Sequence, residues 1–130
     1  MSLKYVISKK KFKDKDAQTQ EKFYATGILS GNTDTKEVAK LIQEATSLNQ
    51  ADVYGALKAL SQVLCGRLKE GKSVKLDGIG TFSLSLTSKP ASTAANVPHK
   101  SIKVSKICFK ADRSLTEEVK DAAIEKFRGA

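Results

Sequence analysis

Between Ser83 and Lys110 the chain carries five lysines, Lys89, Lys100, Lys103, Lys106 and Lys110, and no aspartate or glutamate. Ammonium groups with no carboxylate to neutralise them suit a polyanionic partner, such as a phosphodiester backbone whose counterions they replace, or an anionic surface, and composition does not choose between the two. Arg113 follows shortly after, and Pro90 and Pro98 lie within the run. Nothing comparable points to catalysis: there is no G-x-S-x-G, Walker loop, paired-acid motif or histidine-centred triad, and the single histidine, His99, sits inside the lysine run. We therefore expect a binding protein and not an enzyme, with His99 an extra cation or a bystander.

The rest of the composition narrows the partner. Lys and Arg total 23 against 14 Asp and Glu, a net charge of +9. Residues 1–32 hold seven basic and three acidic side chains, residues 33–82 seven and six, and residues 111–130 four and five, so the excess lies at the N-terminus and in the acid-free run. The near-neutral middle is the solvated face of helices and carries little functional weight. Cys65 and Cys108 stand 43 positions apart with no Cys-x-x-Cys, which fits neither the usual zinc spacings nor a disulfide framework and suggests a reducing cytoplasm. Two small buried hydrophobes are the ordinary use of such residues. We expect no metal, no cofactor and no membrane span, since no apolar run approaches about 18 residues.

The elements that must position the lysines follow from periodicity. Leu3 to Phe12 and Glu21 to Leu29 are rich in Tyr, Val, Ile, Phe and Thr around a polar Lys13 to Gln20 stretch, and predict a β-hairpin with a mobile tip. Asp34-Thr35-Lys36-Glu37 opens a helix as a capping box, with Val38, Leu41, Ile42 and Ala45 at helical spacing until about Leu48. Asn49 caps a second helix, whose stripe of Val53, Ala56, Leu57, Leu60, Val63, Leu64 and Leu68 runs until Gly71 stops it. That stripe is too wide and apolar for a DNA-reading helix, and suits a core or a dimer interface.

Val74 to Leu86 alternates as two strands around Gly78-Ile79-Gly80, a tight reversal that sets Ile79 and Phe82 against one core. Thr87 to Lys100 is small, polar and proline-containing, and predicts a projecting loop. Ile102 and Val104 resume a strand, yet Ile107 and Phe109 fall in the opposite phase, so a bulge or twist is expected at Ser105-Lys106. Ser114-Leu115-Thr116-Glu117 opens a last helix with Val119, Ala122, Ala123 and Phe127 on one side. At 130 residues there is one modest core, and a second would come from a partner chain.

The order helix, helix, strand, Gly-x-Gly, strand, basic proline-containing loop, strand, helix resembles the HU/IHF histone-like DNA-binding family of bacteria. Glu37, Ile42, Leu48, Leu57, Gly71, Val74 and Leu76 carry the resemblance, with Gly78-Ile79-Gly80-Thr81-Phe82, Phe109-Lys110-Ala111 and Leu115, and it covers about 90 of 130 residues. It implies an α+β fold: an intertwined homodimer of a helical hairpin and an antiparallel sheet with protruding β-arms and a C-terminal helix. By that resemblance Leu57, Leu60, Leu64, Ile79, Phe82 and Phe109 look like dimer core, and about 87–103 looks like the arm. Residues 33–130 would be the DNA-binding domain and residues 1–32 an added β-hairpin, as in extended variants. The family's arginine-rich arm and Arg-Asn-Pro tip are absent; Ser85, Thr87, Ser88, Lys89, Pro90, Ala94 and Ala95 stand there instead.

Two readings of function follow. In the first, the chain is an architectural, largely sequence-non-specific nucleoid protein of the cytoplasm. It grips double-stranded DNA through Lys89, Lys100, Lys103 and Lys106 on the arm and Lys110 and Arg113 at its base, with Pro90 or Pro98 as a wedge that bends the duplex. In the second, it is an interaction or assembly module with little DNA affinity, and the N-terminal hairpin takes a protein partner. Missing arginines favour the second and the acid-free run the first. RNA is a weaker variant, since no aromatic cluster forms a stacking platform.

Overall fold

A computed structural model describes residues 2–13 and 18–129. The elements are β1 (Leu3–Lys13), β2 (Thr19–Ile28), α1 (Thr35–Ala45), α2 (Gln50–Lys69), β3 (Val74–Leu76), β4 (Gly80–Thr87), β5 (Lys103–Ala111), α3 (Arg113–Val119) and β6 (Ile124–Lys126). They fall into two compact units, Asp34–Val119 in one, and the residues up to Thr33 with those from Lys120 onward in the other. The fold is mixed α+β, with two three-stranded sheets.

In the first unit β1 and β2 form the expected antiparallel hairpin, in unbroken register from Lys4↔Ile28 to Lys13↔Thr19. Of the expected mobile tip, Lys13 to Gln20, residues 14–17 lie outside the described residues, whereas Lys13, Thr19 and Gln20 belong to the ladder. The last helix differs from its expectation. Helix α3 ends at Val119, and Ala122, Ala123 and Phe127 do not form a helical stripe; Ile124–Lys126 instead pairs with Leu3–Tyr5 as a parallel strand. Leu3 donates its N–H to the Ala123 carbonyl at 2.7 Å, and Phe127 donates to Tyr5 at 2.8 Å. The physical reason is non-local. The backbone groups of this tail are satisfied by a strand some 120 residues away, which helical spacing within the tail cannot reveal.

In the second unit the caps work as their residue types dictate. Asp34 accepts from the Glu37 N–H at 2.9 Å and Asn49 from the Ala51 N–H at 2.8 Å. Gly71, at φ +82, takes the left-handed conformation that ends α2. The helices and the sheet β3-β4-β5 share a thin apolar layer in which Ala39, Val53 and Leu68 are the buried hydrophobic side chains. Leu57, Leu60 and Leu64 are half-buried, while Val63 on the same helix is exposed.

The turn into β4 is tightly specified. Gly78 sits at φ +77, and Ile79 closes the turn by donating to Leu76 at 3.0 Å. A Cβ on Gly80 would lie 2.4 Å from the Lys110 carbonyl oxygen and 2.5 Å from the Phe109 ring, so only glycine lets β5 approach. Ile79 itself is 46% exposed on this turn, outside the apolar layer. Helix α3 is capped two residues ahead of the expected box. Asp112, not Ser114, is the residue at its head, and its side chain also accepts from the Gly78 N–H at 2.8 Å.

Candidate nucleic-acid interface

The candidate site is built on the β4–β5 ladder. Register runs Gly80↔Ala111, Phe82↔Phe109, Leu84↔Ile107 and Ser85↔Lys106, then slips so that Leu86 meets Val104 and Thr87 meets Lys103. The slip inserts Ser105 as an unpaired residue, at the site where the sequence pattern changes phase. Its consequence is chemical. Lys103 and Lys106 are an odd number of residues apart and would face opposite sides of a regular strand; the bulge returns both to one face. Lys110 shares that face through its pairing with Thr81, which also pairs with Lys75. Thr81, Ser83 and Ser85 fill the positions between these lysines, so the face is basic and hydroxyl-bearing with no carboxylate in the ladder.

The other face gathers the apolar partners. The Phe82 and Phe109 rings lie 4.8 Å apart between centroids, tilted by 39°. Phe82, Leu84, Val104 and Ile107 join Leu64, Cys65 and Leu68 of α2 around an open apolar groove of about 480 Å³. Within one chain this face is poorly covered: Phe109 is 51%, Ile107 59% and Leu86 68% exposed. Water against that much hydrocarbon is unfavourable by about 25 cal/mol per Å².

Beyond Thr87↔Lys103 the ladder stops. The segment expected as a β-arm is strand-paired only at its base; residues 88–102 contain no strand and close through two short 3₁₀ turns, Ala94–Asn96 and His99–Ser101. The two prolines supply no donor, and in the turns Asn96, Ser101 and Ile102 donate to the Thr93, Pro98 and His99 carbonyls in place of a ladder. Ser101 ties the segment together: its hydroxyl donates to the Pro98 carbonyl at 2.7 Å and accepts from the Lys89 N–H at 3.1 Å.

This tie gathers three of the lysines that the sequence singles out. Lys89, Lys100 and Lys103 line one open concavity of about 460 Å³ with Thr87, Ser88, Pro98 and Ser101. The polar side chains of these residues are ammonium and hydroxyl groups, a set suited to an oxyanion such as phosphate. Pro98 belongs to this concavity, whereas Pro90 does not line it. His99 lies in the second 3₁₀ turn, where its carbonyl accepts from Ile102. Arg113 opens α3 next to Asp112.

Asp112 is the one residue near the site that a search for cations passes over. Its carboxyl is held below the ordinary aspartate range, first by the Gly78 N–H, which outweighs the opposing cost of desolvation, and then by the Ser114 and Arg113 N–H groups and the charge of Lys75. It therefore locks the Gly-x-Gly turn to the head of α3. The signal available in sequence was an aspartate one residue before a helix start, which is a capping pattern. Among the described residues no group of histidine, cysteine, aspartate or glutamate side chains is arranged to hold a metal ion. Nor is any of the described helices long and apolar enough to cross a membrane.

Comparison with known proteins places this geometry. A family model described as HU-HIG, an HU domain fused to wHTH, Ig, or glycine-rich motif, matches residues 1–126. Both units thus fall inside one match. The chain is also similar in fold to a solved structure, that of a "Putative bacterial DNA binding protein" from Bacteroides vulgatus ATCC 8482. The TM-score is 0.67 at 11% identity, over 95% of this chain and 47% of that one. The chain thus spans about half the length of that protein. No curated protein matches the sequence.

Proposed function

Because the chain belongs to the HU-HIG family of HU domains fused to further motifs, we propose that it is a double-stranded DNA-binding protein of the architectural kind, acting as a homodimer in the bacterial nucleoid. The observation that carries this reading is the acid-free concavity in which Lys89, Lys100 and Lys103 converge, continued by Lys106 and Lys110 on one sheet face. Ammonium groups so arranged neutralise successive phosphates and release counterions, a gain that does not depend on base identity. The name given to the Bacteroides protein points the same way. Catalysis has no part in this reading.

The dimer follows from the bare apolar face. Phe109, Ile107 and Leu86 on the sheet, beside the groove against α2, are what a second copy of the chain covers by two-fold packing, leaving the lysine faces outward. The wedge is assigned to Pro98, which sits on the basic concavity, ahead of Pro90. One experiment tests the core of the reading: a gel shift with random-sequence duplex at about 50 and 200 mM salt. Binding at low salt that collapses at the higher one supports it, and no retardation at either salt overturns it.

A second reading, an interaction module with little DNA affinity, is favoured by one observation. The N-terminal sheet presents Leu3 at 51%, Phe23 at 67% and Ile124 at 68% exposure, a surface that a protein partner would cover.

A further inference from the structure

The two faces of the N-terminal hairpin treat their lysines differently. Strand alternation puts Lys9 and Lys11 on one face with Glu21 and Phe23, and Lys10 on the other with Lys22. On the first face the charge is answered within the hairpin: Lys9 Nζ lies 2.6 Å and Lys11 Nζ 4.0 Å from the Glu21 carboxylate, and Lys9 also stands 5.8 Å from the centre of the Phe23 ring. On the second face Lys10 is directly opposite Lys22. Like charges at directly paired positions destabilise a ladder. Among the described residues the carboxylate of that face is Glu125, at the far end of the sheet, where it is engaged by Lys4 and Ser2.

We propose that the Lys10–Lys22 face of this hairpin is a second duplex-binding surface, at which the paired ammonium groups take DNA backbone phosphate. The assignment rests on the DNA-binding reading given above, and extends it to a unit that reading does not use. A directly opposed lysine pair costs the free protein stability and is repaid only when an anion lies between or over the two groups. Beyond Tyr5, where the third strand ends, the hairpin is a two-stranded ribbon of eight residue pairs, Val6↔Thr26 to Lys13↔Thr19, at about 3.4 Å each, and the major groove admits such a ribbon. Beside the lysine pair on the same face stand Tyr24 and Ser8, the latter's hydroxyl hydrogen-bonded to that of Thr26 at 2.9 Å.

The test uses the full chain and a random-sequence duplex of about 30 base pairs, with affinity followed by fluorescence anisotropy across a salt titration. Four proteins are compared: the parent, Lys10→Ala/Lys22→Ala, Lys89→Ala/Lys100→Ala/Lys103→Ala, and a charge-matched control in α1, Lys36→Ala/Lys40→Ala. The hairpin double is expected to bind more weakly at low salt, with a slope of log K against log salt shallower by about 0.9 for each phosphate it no longer neutralises. Its melting temperature without DNA should be equal to or above that of the parent, because a repulsion has been removed. A hairpin double that binds like the parent while the arm triple binds weakly overturns this proposal and leaves the arm reading standing. An α1 control that weakens binding as much as the hairpin double overturns it too, because net charge alone would then explain the weakening. So does a hairpin double that melts below the parent, which would make the pair structural. A parent that does not bind the duplex overturns both readings together.

Discussion

The strands of the N-terminal sheet hold seven lysines and those of the β3-β4-β5 sheet four, and the two sheets dispose of the charge differently. In the N-terminal sheet three of the seven lysines meet a carboxylate of their own unit, with Glu21 serving Lys9 and Lys11 and Glu125 serving Lys4. Such exposed pairs add little stability, but they cancel the field that a polyanion would feel. In the β4–β5 ladder and the segment beyond it there is no acid at all, and a bulge turns Lys103 onto the face of Lys106 and Lys110. A lysine count therefore does not locate a binding surface. The placement of carboxylates among the lysines is the better guide, and by that criterion the arm is the proposed principal surface and the Lys10–Lys22 face the proposed subsidiary one.

The largest effect should come from salt. If the dimer makes about six to ten phosphate contacts, affinity falls about 10³ to 10⁵ between 50 and 200 mM salt. Replacing Lys89, Lys100 and Lys103 with alanine removes three charges per chain from the acid-free segment and should flatten that slope with little change in melting temperature. A triple variant that retains the parental slope would erase the contrast between the two ribbons.

Next comes the apolar face that the arm-bearing sheet presents and a partner is proposed to cover. Phe82→Ala should cost on the order of 3 to 5 kcal/mol and abolish the dimer in sedimentation equilibrium. A parent protein that is a folded monomer at micromolar concentration would show instead that the face stays bare. Gly80→Ala is a test of local geometry. The added methyl meets the Lys110 carbonyl and the Phe109 ring, so destabilisation of about 1 to 3 kcal/mol is expected in chemical denaturation. Gly27→Ala in the other sheet, where a Cβ meets nothing within 4 Å, should cost far less.

Smaller still are the acid-range effects, which separate the two units by mechanism. The carboxyls of Asp112 and Glu125 are both held below their ordinary ranges. For Asp112 the leading cause is a backbone N–H, that of Gly78, and for Glu125 it is the Lys4 ammonium, followed by the Ser2 hydroxyl. A carboxyl depressed in the folded state binds fewer protons there than in the unfolded chain. Its contribution is therefore full above the ordinary carboxylate range and is lost as pH falls through the folded value. Asp112→Asn and Glu125→Gln should each flatten stability against pH in the acid range. Added salt should weaken the Glu125 contribution, which comes from an ion pair, and spare most of that of Asp112, which comes from fixed amides. The smallest change in affinity is expected from Pro98→Ala, which should bind nearly as tightly at matched salt yet bend the duplex less in an energy-transfer assay; Pro90→Ala should leave bending as in the parent.

Much of the local structure was legible in the residues themselves, because caps, glycine turns and strand alternation are short-range effects. Asp34 and Asn49 announced two helix starts, Gly71 a helix end, and the phase change at Ser105-Lys106 a bulge. The acid-free lysine run was likewise a property of sequence alone, since charge needs no fold to be counted. What only the tertiary structure decided is which distant groups meet. The tail from Lys120 left its expected helix because Leu3–Tyr5 offered an unpaired strand edge, and the expected β-arm ended at Thr87↔Lys103 because Ser101 and Pro98 close the segment on itself. The same holds within the hairpin, where register set Lys10 against Lys22 and Lys9 beside Glu21. Neighbouring residues of one type acquired opposite environments there, because in a ladder the partner across the strand counts for as much as the neighbour along it.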